Sequence, residues 1–129
     1  MHHFKKIFLI ALLPLIFCIA VMAQKPIYGF AYSTNLKDSV VYLTAVQQIP
    51  EAQLGKNDFL NYRSDYGAQF SHYIQDFYDI PQVMTIMYFD KNRAKVEKRY
   101  LKVRKTAQQE QRKRIIEIGY SDFKFSPIE

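Results

Sequence analysis

From Ile7 to Ala23 the chain carries no charged residue, and that run decides how much of the sequence is available to fold. Lys5 and Lys6 precede it, and most of its members are Ile, Leu, Phe or Ala. Val21-Met22-Ala23 then places small residues at the −3 and −1 positions of a cut before Gln24. A positive start, an apolar centre and a small-residue exit form the pattern of a secretory signal peptide. The run is 17 residues long with Pro14 inside it, against the ~20 apolar residues that a spanning helix needs. A cleaved leader over residues 1–23 is therefore the first expectation, and an uncleaved membrane anchor the second. Cys18 would suit lipid attachment, but Phe17 stands where that signal requires a small residue, so Cys18 reads as an ordinary apolar member of the leader.

Residues 24–129 are then expected to form a single α/β domain in the periplasm or outside the cell. Those 106 residues contain no cysteine. No disulfide framework or cysteine-based zinc cluster can brace them, so a packed core has to. Seventeen of them are Phe or Tyr, which makes the core aromatic, and a chain of this length buries one.

Hydrophobic periodicity orders the elements. Ile27 to Ser33, with Tyr28, Phe30 and Tyr32 on one face, reads as a strand. Ser39 to Val46 reads as a second, rich in β-branched and apolar residues, and Thr34 to Asp38 turns the chain between them into a hairpin. Gln47 to Lys56 reads as a loop. Asn57 or Asp58 is placed to cap a helix whose stripe is Phe59, Tyr62, Tyr66, Phe70, Tyr73 and Phe77, at steps of three and four. Pro81 ends it. Gly67 in its middle costs about 1 kcal/mol against Ala and would allow close approach to a sheet. Gln82 to Phe89 is apolar on both sides and reads as a central strand covered on both sides, or one covered by a helix and a partner. A second helix runs from Arg93 to about Gln109 on a stripe of Val96, Tyr100, Val103 and Ala107. Ile115, Ile116 and Ile118 form a last strand ending near Gly119, which Phe123 and Phe125 extend after a bulge or turn. The order ββαβαβ predicts an α+β fold, a two-layer α/β sandwich. It has a mixed sheet of four or five strands with two helices packed on it. Sequence does not fix whether those helices share a face.

Charge is unevenly spread. Between Lys91 and Arg114 lie eleven Lys or Arg against only Glu97 and Glu110, a net +9, while the rest of residues 24–129 sums to −5. Like charges at i,i+4, such as Lys95/Arg99 and Lys98/Lys102, cost a few tenths of a kcal/mol each. Three readings fit: a solvated outer helix face, a basic helix facing Asp76 and Asp79 of the same fold, or a surface for an external anion. On the third reading the binding residues are Lys95, Lys98, Arg99, Lys102 and Lys105. The partner is an anionic surface or an acidic protein. Nucleic acid suits such a patch electrostatically, but export argues against it, and a membrane enters only through an uncleaved leader.

Most catalytic chemistries lack their residues. His72 is the one histidine after the leader and adjoins Ser71, but neighbouring helix residues diverge by about 100° and form no triad. Asp76 and Asp79 are a poor calcium signal without a loop of alternating oxygen ligands, so no metal site is read. The four glycines are scattered and make no phosphate loop, so no cofactor is implied. A short leader ending at Ala23-Gln24 ahead of a Tyr- and Lys-rich domain resembles the small exported proteins of Gram-negative bacteria of the Bacteroidota type. The resemblance covers leader and composition and implies location, not activity. The expected function is that of a non-catalytic binding module. The alternative is a small-molecule or enzymatic domain with a pocket lined by Tyr and Asp.

Overall fold

A computed structural model describes residues 25–128; the leader expected over residues 1–23 lies outside them. The elements are β1 (Ile27–Asn35), β2 (Val40–Thr44), β3 (Gln47–Ile49), α1 (Arg63–Tyr78), β4 (Val83–Asp90), α2 (Arg93–Lys105) and β5 (Arg114–Ile118). They build a mixed five-stranded sheet with two helices, the α+β arrangement expected.

The hairpin forms as read, β1 pairing antiparallel with β2 through Tyr32↔Leu43 and Thr34↔Val41. After a break at Ala45-Val46 the chain resumes alongside β1 as β3, with Ile27↔Ile49 and Gly29↔Gln47 in register. This strand falls in the segment expected to be loop. It is three residues long and two of them are Gln, so no hydrophobic alternation marks it. The other side of β1 pairs along its length with β4, from Tyr28↔Asp90 to Asn35↔Val83. The centre of the sheet is therefore β1. The expected central strand, β4, lies at an edge, with Met84 and Ile86 exposed. β5 pairs parallel with β2 at the opposite edge.

Strand alternation divides the core between the two faces. Ile27, Ala31, Tyr42 and Met87 point to one side with Tyr66, Phe70 and Ile74 of α1. Phe30, Val41 and Leu43 point to the other and meet Val96 of α2 and Ala107. One helix thus covers each face. On the α1 side β1 offers small residues: Ile49 fills the space over Gly29, Ala31 joins the core cluster with Tyr66 and Phe70, and Ser33 meets Thr85. The hydroxyls there are satisfied in a short chain: Thr85 Oγ1 is 2.6 Å from both Ser33 Oγ and Ser71 Oγ. Burying them unpaired would cost about 1–3 kcal/mol each.

Helix α1 begins at Arg63, not at Asn57 or Asp58. Asn57, Asp58 and Tyr62 all have positive φ, which breaks a helical path, and only a single 3₁₀ turn, Lys56–Asp58, forms there. The six-ring stripe is accordingly cut short. Tyr66 and Phe70 are buried, while Phe59, Tyr62 and Phe77 are exposed. Helix α2 keeps its expected extent. Asn92 caps it, accepting from the Ala94 and Lys95 amides at 2.9 and 3.3 Å, and a π turn at Thr106–Glu110 carries Ala107 into the core. Phe123 and Phe125 are buried as expected but not as a strand. The Phe125 amide donates to Gln47 Oε1 at 3.0 Å, and Gln69 clasps Ser126 through both its amide atoms.

Candidate functional site

Helix α2 sets the geometry of the basic segment. At 3.6 residues per turn, buried Val96 and half-buried Tyr100 and Val103 define the inward direction. Lys95, Lys98, Arg99, Lys102 and Lys105 then fall within a sector of about 120° on one flank and the outer side. All five are exposed. Arg93 and Arg104 fall on the other flank. There Arg93 pairs with Glu97 at 3.1 Å and lies over the Tyr28 ring, and Arg104 pairs with Glu117 of β5 at 3.0 Å.

The helix's two flanks thus differ in chemistry. The flank toward β5 is neutralised. Glu117 Oε1 also accepts from the Tyr100 hydroxyl at 2.9 Å. Burial, and then that bond to a carboxylate, push the Tyr100 phenol up to about 12. The flank toward β4 and the outer side hold the five expected residues, none of which has a salt-bridge partner among the described residues. Asp76 and Asp79 do not supply one. They belong to α1 and its C-terminal cap, and α1 covers the opposite face of the sheet; the acidic group of the same fold that the helix does meet is Glu117, through Arg104.

The open edge of β4 lies beside this flank. Arg99 stacks its guanidinium over the Tyr88 ring, 5.4 Å from the centroid. A hollow of about 400 Å³ is lined by Met87, Tyr88, Phe89 and Asp90 of the strand, Lys95 and Arg99 of α2, and Phe59 and Arg63 from the other side. Arg63 in turn lies over the Phe59 ring at 5.7 Å. A second hollow of about 440 Å³ continues along the strand past Thr85 and Ile86, walled by Gly67, Ser71 and His72 of α1. Arg63 and Met87 line both, so the two form one groove. Both faces of β4 contribute to it, which places it along the strand's free edge.

Sequence reasoning found the cations of α2 but missed Arg63, Phe59 and the edge itself. Arg63 is an isolated charge in the sequence, and the edge became visible only with the strand order. A different hollow, of about 870 Å³, lies between β3 and the segment before β1, rimmed by Lys25, Glu51, Asp58 and Lys91. Its mixed charges cancel, and no tyrosine lines it. Of the hollows described, the edge groove is where a tyrosine, Tyr88, and an aspartate, Asp90, meet, and three cations outweigh that one carboxylate. Ser71 turns its hydroxyl to Thr85 while His72 is exposed, so the two form no nucleophile–base pair. No protein-family model, curated protein or solved structure matches the chain.

Proposed function

We propose that the protein is an exported, non-catalytic interaction module whose α2 flank docks on an anionic partner. One observation carries the reading. Lys95, Lys98, Arg99, Lys102 and Lys105 are gathered on one exposed sector without an acidic counterpart, while the remaining cations of the same helix are paired. A merely solvated face would have no reason to segregate them, and like charges at i,i+4 cost stability. A field of this kind attracts anions and speeds encounter. The leader read from residues 1–23 supplies the location.

Binding should fall steeply with salt, because exposed charges are screened beyond ~8–10 Å at physiological ionic strength. Immobilised poly-glutamate and phosphatidylglycerol vesicles are suitable probes. The triple variant Lys98→Glu, Arg99→Glu, Lys102→Glu should lose binding to both while melting like the parent. Undiminished binding by a folded triple variant refutes the reading.

A further inference from the structure

Resting on that reading, we infer that the β4 edge accepts an extended acidic segment of a partner protein as an additional strand of the sheet. The Ala31 amide donates to Thr44 Oγ1 at 2.9 Å on the β2 side. Backbone groups alternate sides along a strand, so those of Tyr28, Phe30, Tyr32 and Thr34 turn toward β4. Their register partners Met84, Ile86, Tyr88 and Asp90 turn back toward β1. A Cβ placed on Gly29 would come within 2.5 Å of the Tyr88 carbonyl oxygen, as that direction requires. The register runs without a bulge from one end of β4 to the other. The amides and carbonyls of Val83, Thr85, Met87 and Phe89 are therefore aimed outward, and among the described residues no strand pairs with them. An edge of this length is a template for another strand.

The groove chooses the occupant. A strand laid beside Val83–Phe89 advances about 3.3 Å per residue. It passes Met84 and Ile86, which are 59% and 53% exposed, and then runs between Arg63 on one wall and Lys95 and Arg99 on the other. Side chains of an added strand alternate between those walls, so Asp or Glu at successive positions would meet a cation on either side. Apolar residues flanking such a pair would cover Ile86 and Phe59. A second copy of the chain is disfavoured, because its β4 edge carries Arg63, Lys95 and Arg99 against the single carboxylate of Asp90 and so offers the groove cations, not anions.

The test uses eight-residue peptides in which adjacent Glu pairs are separated by Val, Thr or Tyr, added to the isotopically labelled full domain. Expected are salt-sensitive binding, slowed exchange of the Val83, Thr85, Met87 and Phe89 amides, and loss of binding when alternate peptide amides are N-methylated. Arg63→Glu with Arg99→Glu should weaken binding at least tenfold, and Lys102→Glu with Lys105→Glu much less. Equal binding of N-methylated peptides overturns strand addition while leaving the anionic reading intact. Binding of phosphatidylglycerol vesicles with no peptide binding at millimolar concentration does the same, in favour of a lipid surface. A concentration-dependent dimer abolished by Ile86→Lys overturns it in favour of a second copy. Failure of every anionic probe removes the proposed function along with it.

Discussion

Two glycines should respond to the same substitution with opposite signs. Gly29 lies in the central strand, where an added Cβ would stand 2.5 Å from the Tyr88 carbonyl oxygen and 2.7 Å from Ile49 Cδ1. Ordinary contact is about 3.5–4.0 Å, so roughly 1 Å must be found on both sides of β1 at once. The Ile49 side chain can turn, but the carbonyl belongs to the backbone of β4. Moving it strains the longest ladder in the sheet. Overpacking of this kind costs typically 1–3 kcal/mol, and a weakened ladder hydrogen bond adds about 1 kcal/mol. Gly29→Ala should therefore lose about 3 kcal/mol, lowering the melting temperature by roughly 12 °C or more for a domain near 100 residues. Gly67 is different. Its added Cβ would meet Met87 Cγ at 3.6 Å and Thr85 Cγ2 at 3.7 Å, which is normal packing. The helix lies close to β4 at Gly67, but with room for a methyl group. What remains is helix propensity, so Gly67→Ala should gain about 0.5–1 kcal/mol. Urea unfolding of both variants, checked for an unchanged slope, measures the pair. A Gly29→Ala protein within 1 kcal/mol of the parent, or a destabilised Gly67→Ala protein, refutes the packing argument.

Three further outcomes are expected. The raised Tyr100 phenol, at about 12 against the usual 10, contributes stability that is present below pH ~10 and is lost between about 10 and 12 as the folded protein resists deprotonation. Tyr100→Phe should flatten that part of a stability–pH curve measured by denaturant titration, and an unchanged slope would deny the link. Phe70→Ala should cost about 3–5 kcal/mol, because Phe70 is fully buried. Phe59→Ala and Phe77→Ala should stay within about 0.5 kcal/mol, and thermal melts distinguish a truncated stripe from a continuous one. The Lys98→Glu, Arg99→Glu, Lys102→Glu variant should melt at or slightly above the parent temperature, since it removes like-charge neighbours; a large loss would assign these residues to folding instead of binding.

Where one physical preference dominated, the sequence was readable. The β-branched run Val40–Thr44, the apolar run Val83–Phe89 and the Val96/Tyr100/Val103 stripe all became the elements their periods indicate. Periodicity misled where backbone geometry intervened. Phe59 and Tyr62 continue the spacing of Tyr66 and Phe70, but positive φ at Asn57, Asp58 and Tyr62 takes that stretch off the helical path. Position in the sheet was harder still. β4 looks central because both of its faces are apolar, whereas β1, the true centre, carries Gly29, Ala31 and Ser33 on one face. Ile49 fills the space over Gly29 and Ala31 joins the rings of α1, and only the assembled layers reveal that. The α2 cations were legible as a run. Their division into a paired and an unpaired flank was not, because it depends on Glu117 arriving from β5.

The clasp on the last described residues governs when the fold can close. β5 joins β2 across the chain, Phe123 and Phe125 fill the α1 face of the core, and Gln47 and Gln69 fasten the backbone around them. These pairings bridge large sequence separations, whose loop entropy must be met before any contact repays it. A chain emerging from its amino end therefore holds an incomplete core, with its aromatic surfaces uncovered, until residue 125 is free to dock. The domain is a latch that shuts with β5 and the segment around Phe123 and Phe125.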